Sequence, residues 1–231
     1  SSLELSTDDT DTRSDGISVA TGSVASLFEG AVNETYGADG AGSTVIDGYA
    51  LTLNDSIDTS GITSGGTPVA FNLDADSGVI TGTIDGGSTD VLRIEVDAAS
   101  GNVTVTQSAP LDHPDQGADS LNLPAGLVGV SADVTVTDSD GDTVTDSLSA
   151  DLSGVITVVD DTPAATLNEV DLRELSFETQ DSEAVEAGGS VASASVATAF
   201  AAAVTAAYGA DGAGSTVIDG YALTLNDSID T

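Results

Sequence analysis

The segment YGADGAGSTVIDGYALTLNDSIDT occupies Tyr36–Thr59 and recurs unchanged at Tyr208–Thr231 of a chain of 231 residues. Just upstream, residues 18–35 and 190–207 share 9 of 18 positions. Repeats of one supersecondary unit have periods of roughly 20–50 residues, so the far longer period from Tyr36 to Tyr208 indicates tandem whole domains. We therefore expect residues 1–17 to end a preceding linker, 18–163 to form one full repeat, 164–189 to form a linker, and 190–231 to begin the next repeat.

A helix is predicted at residues 23–36, near the start of the repeat. Val24, Leu27, Phe28 and Tyr36 lie on one stripe of helical period, and Ser23 is a candidate N-cap. The same spacing runs from Val196 to Tyr208 in the second copy. The identical segment VIDGYALTL then alternates apolar and polar residues, so we expect both copies to contain a helix followed by a strand.

The rest of the repeat reads as short strands separated by turns. Runs such as GVITGTI, VLRIEV, NVTVTQ, ADVTVTD and GVITVV are rich in β-branched residues and are bounded by Asp, Gly, Ser and Asn. This pattern is typical of an all-β, Ig-like antiparallel β-sandwich, which we expect at residues 43–159. Pro163 keeps Thr162 out of the helical region and marks the end of the unit.

Charge and composition exclude several classes of function. The chain carries 39 Asp and Glu against 3 Arg, a net charge of −36, and it contains no Cys and no Lys. Such a charge repels nucleic acid and anionic lipid surfaces, and the missing residues exclude disulfides, thiolate sites and the P-loop. No apolar run reaches the roughly 18 residues of a membrane span, so we expect no membrane insertion.

Catalysis is also not expected. His113, in the run APLDHPD, is the only histidine, and no GxSxG motif supplies a serine nucleophile. We interpret His113 as capping a turn.

The motif TDSDGDT at Thr137–Thr143 predicts a calcium site. Asp138, Asp140 and Asp142 alternate, and Gly141 permits the positive φ that brings their oxygens together. Hard carboxylates without His or Cys suit calcium. The spacing does not fit an EF-hand loop, so the expected site is a loop of the sandwich. The alternative is a solvated acidic hairpin turn.

A second acidic group lies at the end of the repeat. Asp160 and Asp161 precede Pro163, and Glu169, Asp171 and Glu174 follow it. One cation shared by these carboxylates would join neighbouring repeats, whereas without a cation they would repel one another. The alternative is a linker that is merely soluble.

Together, the runs YALTLN, GVITGTI, VLRIEVDAASGNVTVTQSAPLDHP, ADVTVTDSDGDT and VVDDTP resemble the type I secretion target repeats of giant RTX adhesins of Gram-negative bacteria, over about residues 18–163 and again from 190. The resemblance implies a secreted, cell-surface extender module. Such modules are stiffened by calcium and project ligand-binding domains for surface adhesion and biofilm formation. Their partners are neighbouring repeats of the same chain. It also implies metal ligands at Asp138, Asp140, Asp142, Asp160 and Asp161.

One feature of the sequence differs from other parts of RTX proteins. The glycine-rich nonapeptide that builds the calcium β-roll of RTX proteins is missing from the sequence, so we expect an interior extender. The alternative function is a calcium-dependent module of the same adhesin that binds carbohydrate or protein.

Overall fold

The computed structural model describes residues 3–36, 38, 40–113, 120–182, 189–209, 212 and 214–225. The chain divides into two compact units, the first holding residues 1–162 and the second most of the residues from 163 onward. The change of unit at Thr162 and Pro163 coincides with the proline that the sequence analysis placed at the end of the repeat.

Most of the first unit is β-structure. Its strands are β1 Leu5–Asp8, β2 Ser18–Ser23, β3 Ala41–Leu53, β4 Thr63–Ser64, β5 Thr67–Pro68, β6 Ala70–Leu73, β7 Ile80–Ile84, β8 Thr89–Val96, β9 Asn102–Gln107, β10 Ser120–Asn122, β11 Val128–Asp138, β12 Thr143–Asp151 and β13 Ile156–Val159. Its helices are α1 Asp9–Ser14 and α2 Ala25–Glu29, with a 3₁₀ turn at Ser153–Val155.

The strands form three larger sheets and one small hairpin. A five-stranded antiparallel sheet has the order β2-β9-β8-β7-β6, and a three-stranded antiparallel sheet has the order β12-β11-β3. The third sheet has the order β1-β13-β10, in which β1 runs parallel to β13 and β10 runs antiparallel to it. Strands β4 and β5 pair with each other.

One hydrophobic core joins the three larger sheets. It contains Ile94 and Val105 from the five-stranded sheet, Leu51 and Val130 from the β3 sheet, and Ile156 from the third sheet. In β9 the buried and partly exposed residues alternate, as expected for a strand with one face on the core. The predicted all-β sandwich is therefore confirmed.

Residues 1–17, expected to be linker, contribute instead to the folded unit. Strand β1 pairs with β13, with Leu5 opposite Ile156, and both side chains are fully buried. Helix α1 follows at once, and the Asp8 carboxylate caps it by accepting a hydrogen bond from the Thr10 N–H at 2.8 Å. The sequence signal is the alternation of Leu5, Thr7 and Asp9, too short to stand out beside the longer runs.

Helix α2 is shorter than the predicted helix at 23–36. It spans only Ala25–Glu29, and Ser23 belongs to β2, although its Oγ accepts a hydrogen bond from the Ala25 N–H at 3.3 Å. Val24 and Phe28 are buried, whereas Leu27 is exposed. Gly30 has a low helix propensity, and residues 31–36 are exposed or only partly buried. The helix therefore has no packed face along which to continue. Among the described residues, no helix is long and apolar enough to cross a membrane.

The second unit reproduces only part of the first. Its helix α3, Ala197–Ala202, begins at the residue that corresponds to the start of α2, as predicted, and Phe200 packs edge to face on Tyr221 just as Phe28 packs on Tyr49. Strands β14, Ala164–Leu167, and β15, Val204–Ala207, pair antiparallel. The second VIDGYALTL, at residues 217–225, is not a strand, so this part of the prediction is wrong. Residues 226–231, the end of the repeated segment, lie outside the described residues.

The turn between β8 and β9 shows how carboxylates hold the sheet. The Asp97 carboxylate accepts hydrogen bonds from the Ser100 hydroxyl and the Ser100 N–H, both at 2.7 Å, and from the Ala99 N–H at 3.2 Å. The bonds from Ser100 hold the pKa of Asp97 below its ordinary value. These bonds favour the ionised carboxylate, so they stabilise the turn when Asp97 is charged.

We predict that Leu5→Ala lowers the free energy of unfolding by about 2–5 kcal/mol, because it empties a fully buried site in the core. The matched control is Val19→Ala on β2, whose side chain is 53% exposed, and which we expect to change stability by no more than about 0.5 kcal/mol. Urea unfolding measures both. Equal, small effects of the two substitutions would show that residues 1–17 are linker after all.

A second prediction concerns acid. Because folding lowers the pKa of Asp97, its contribution is present above the ordinary Asp pKa of about 3.9 and is lost as pH falls through the folded value. Asp97→Asn should therefore lower the melting temperature at neutral pH, and its difference from the parent chain should shrink towards about pH 2. Asp55→Asn, at another exposed turn, is the control. A difference that stays constant with pH would contradict the role of the charge.

Candidate functional site

The predicted calcium motif forms the hairpin between β11 and β12. Thr137 and Thr143 are the last paired residues of the two strands. Across the turn, the Asp138 N–H donates to the Asp142 carbonyl oxygen at 3.0 Å, and the Asp142 N–H donates to Asp138 Oδ1, also at 3.0 Å. Gly141 has a φ of +99°, in the left-handed region that favours glycine, as predicted. The turn therefore closes tightly and gathers the alternating aspartates.

Asp138, Asp140 and Asp142 each offer one carboxylate oxygen, and these three oxygens lie within 4.8 Å of one another. A hydrogen bond with the Asp140 side chain and bonds from the backbone N–H groups of the turn hold the pKa of Asp138 below its ordinary value. The group is made of carboxylate oxygen donors and lies at the surface. These are the properties of a site for a hard divalent cation such as calcium, and calcium binding here stays a prediction.

The other two predicted ligands are placed differently. Asp160 was expected to bind a cation at the joint between repeats, but its side chain is only 8% exposed and its Oδ1 lies 3.5 Å from His113 Nδ1. It turns inward because it continues the buried alternation of Ile156 and Val158. Asp161 is half-buried, and its role as a joint ligand stays a prediction. Of the linker carboxylates beyond Pro163, Asp171 forms an exposed ion pair with Arg173 at 3.1 Å.

A second group of possible ligands, which the sequence analysis did not predict, is buried. His113 is 1% exposed at its side chain and Asp9 is 0% exposed. His113 Nδ1 lies 2.9 Å from the Leu111 carbonyl oxygen, 3.4 Å from Asp9 Oδ2 and 3.5 Å from Asp160 Oδ1. Its other ring nitrogen, Nε2, lies 3.2 Å from the Val158 carbonyl oxygen. We call Asp9, His113 and Asp160 the buried cluster.

Strand geometry brings the buried cluster together. In β1 the inward positions are Leu5 and Thr7, and the next is Asp9; in β13 they are Ile156 and Val158, and the next is Asp160. Because β1 and β13 are parallel, with Thr7 opposite Val158, both carboxylates follow the same end of the sheet. Each strand thus leads from its inward-facing residues to a buried carboxylate.

Strand β9 ends in the same way. Val103 and Val105 face the core, and the next inward residue is Gln107, which is fully buried. Its amide nitrogen donates to Asp9 Oδ1 and, at 3.0 Å, to the Ala109 carbonyl oxygen. The sequence does show a polar residue, Gln107, at an inward position of the alternating run NVTVTQ. It does not show that the ends of β1, β9 and β13 meet, because this depends on how distant strands pair. The interpretation of His113 as a turn cap holds only for its contact with Leu111.

Comparison with known proteins gives a family but no activity. No curated protein and no solved structure matches the chain. A family model described as a domain of unknown function (DUF5801) matches residues 4–153. That range begins next to β1 and ends within the 3₁₀ turn before β13, so it covers most of the first unit. The chain therefore belongs to the DUF5801 family, whose function is unknown.

Proposed function

We propose that this chain is an extender segment of a secreted, cell-surface RTX adhesin, and that it serves as a non-enzymatic spacer stiffened by calcium. The observation that carries this proposal is the tandem repeat. The identical segments that begin at Tyr36 and Tyr208 fall mainly into two different compact units. A spacer gains length by repeating a domain, whereas a domain that recognises one ligand has no need of a tandem copy.

Calcium supplies the stiffness in this proposal. The chain carries 36 excess negative charges, which oppose compaction unless cations bind. The hairpin carboxylates of Asp138, Asp140 and Asp142 provide oxygen donors for such an ion. Extracellular calcium sites have dissociation constants of roughly 0.1–1 mM, so the segment would be stiff outside the cell and looser where calcium is scarce.

We predict that calcium at about 10 mM raises the melting temperature by about 3–10 °C relative to excess chelator, because an ion that binds only the folded state stabilises it by mass action. Asp140→Ala should remove much of this increase. In chelator the same substitution should be neutral or mildly stabilising, since it relieves repulsion among the three carboxylates. Differential scanning calorimetry measures these changes.

The control for this prediction is Asp146→Ala, which removes an exposed carboxylate from β12 but leaves the hairpin trio intact. We expect it to keep the full response to calcium. If Asp140→Ala destabilises the chain equally in chelator and in calcium, Asp140 acts through its hydrogen bonds and the calcium assignment is wrong.

The extender function itself is tested on a recombinant chain of several complete repeats by small-angle X-ray scattering. We expect calcium to increase the maximum dimension and to narrow its distribution. A stiff joint keeps successive repeats extended, whereas a flexible joint lets them fold back. Asp161→Ala should weaken this response, with Asp146→Ala again as the control. Identical dimensions with and without calcium would refute a calcium-stiffened spacer.

A further inference from the structure

The protonation of His113 follows from the atoms around it. His113 Nε2 faces the carbonyl oxygen of Val158 at 3.2 Å, and a carbonyl oxygen only accepts hydrogen bonds. Nε2 is therefore placed to donate a proton to this carbonyl. A histidine that binds a metal through one nitrogen almost always donates its other N–H to a carbonyl, carboxylate or water, which fixes the ring. The Val158 carbonyl provides this support.

All the contacts described for the other nitrogen, Nδ1, are with oxygen atoms. These are the Leu111 carbonyl oxygen, Asp9 Oδ2 and Asp160 Oδ1. With the proton on Nε2, neutral imidazole presents a lone pair at Nδ1, which two carboxylate oxygens would repel. Either a proton or a metal cation must therefore lie at Nδ1.

A proton at Nδ1 would be donated to the Leu111 carbonyl oxygen at 2.9 Å, whereas a metal cation there would be shared with the two carboxylates. The separations of 3.4 Å and 3.5 Å between Nδ1 and the two carboxylate oxygens are long for hydrogen bonds. They are close to the distance of about 3.3–3.4 Å between two ligands of a tetrahedral zinc ion bound at roughly 2.0–2.1 Å. One donor atom from each of the three residues lies within 4.8 Å of the others, so a single small ion fits among them.

Gln107 is independent evidence for a cation. Its side chain is fully buried, and its Oε1 has no hydrogen-bond partner among the described residues. Its amide nitrogen donates to the Asp9 carboxylate, so the Gln107 amide group adjoins the buried cluster. A buried amide oxygen without a donor costs free energy, and coordination of a metal would remove that cost.

We propose that the buried cluster is a structural zinc-class site, with Asp9, His113 and Asp160 as ligands and Gln107 Oε1 as the fourth donor. An imidazole nitrogen with carboxylate oxygens suits zinc and similar transition metals, whereas calcium prefers oxygen ligands alone. The ion would tie the beginning of the first unit, at the end of β1, to its last strand, β13, through the segment that follows β9. This site is distinct from the surface calcium hairpin, and the proposal does not depend on the adhesin function.

The test uses the full chain, stripped with chelator and then kept in saturating calcium so that the hairpin is occupied. Zinc is added alone as the probe, and bound metal is measured by equilibrium dialysis with elemental analysis. We expect one zinc ion per chain and a higher melting temperature. His113→Gln and Asp160→Asn should each weaken zinc binding by at least about tenfold. Removing a group that only hydrogen-bonds to a ligand already lowers metal affinity by about 10–100-fold, so removing a ligand should cost no less. The control Asp140→Asn should bind zinc like the parent chain.

Cobalt(II) provides a readout that does not depend on the variants folding. In place of zinc it should give intense visible absorption bands typical of four-coordinate nitrogen and oxygen ligation in the parent chain. The proposal is overturned if the parent chain binds no stoichiometric zinc or cobalt, or if both ligand variants bind zinc as the parent does. It is also overturned if NMR shows both ring nitrogens of His113 protonated in the presence of zinc, since a proton would then occupy Nδ1.

Discussion

Negative charge is the constraint under which this chain folds, because 39 carboxylate side chains share only three arginines and one histidine. At the turns, backbone N–H groups donate hydrogen bonds to carboxylates that have no cationic side chain beside them. Asp74 accepts bonds from the N–H groups of Asp76 and Ser77, and Asp151 accepts bonds from those of Gly126 and Ser153. The same bonds that balance a charge also fix a turn, so the acidic composition helps to set where strands end.

Carboxylates that are buried need stronger compensation than a turn provides. Burial of an ionised carboxylate is costly unless it is paired or coordinates a metal. Asp9 and Asp160 are buried, and both lie against His113, the one histidine of the chain. If a zinc-class ion joins them, the parallel pairing of β1 with β13 gains a second linkage besides its apolar contacts. Burying these charges then favours one strand arrangement, because other pairings would leave the carboxylates uncompensated.

The sequence predicted the sandwich and the hairpin aspartates, because both depend on local pattern. Alternation in runs such as NVTVTQ reports one buried face, and DSDGDT lies within a single turn. The buried cluster was missed because its residues come from three distant segments, near residues 9, 113 and 160. The parallel register of β1 and β13 brings Asp9 and Asp160 together, and the segment after β9 adds His113. The predicted helix was too long because apolar residues keep a helical spacing up to Tyr36, although the contact with the core ends near Phe28.

The repeated segment shows how much of the fold depends on pairing rather than on local sequence. Residues 45–53 and 217–225 are identical, yet the first lie in β3 and the second form no strand. In the first unit β3 pairs with β11 along its length, from Leu53 opposite Val128 to Ala41 opposite Asp138. Among the residues that the structure describes, no strand pairs with residues 217–225. The helix and the Phe–Tyr contact need only nearby residues and recur, whereas the strand needs a distant partner to accept its hydrogen bonds.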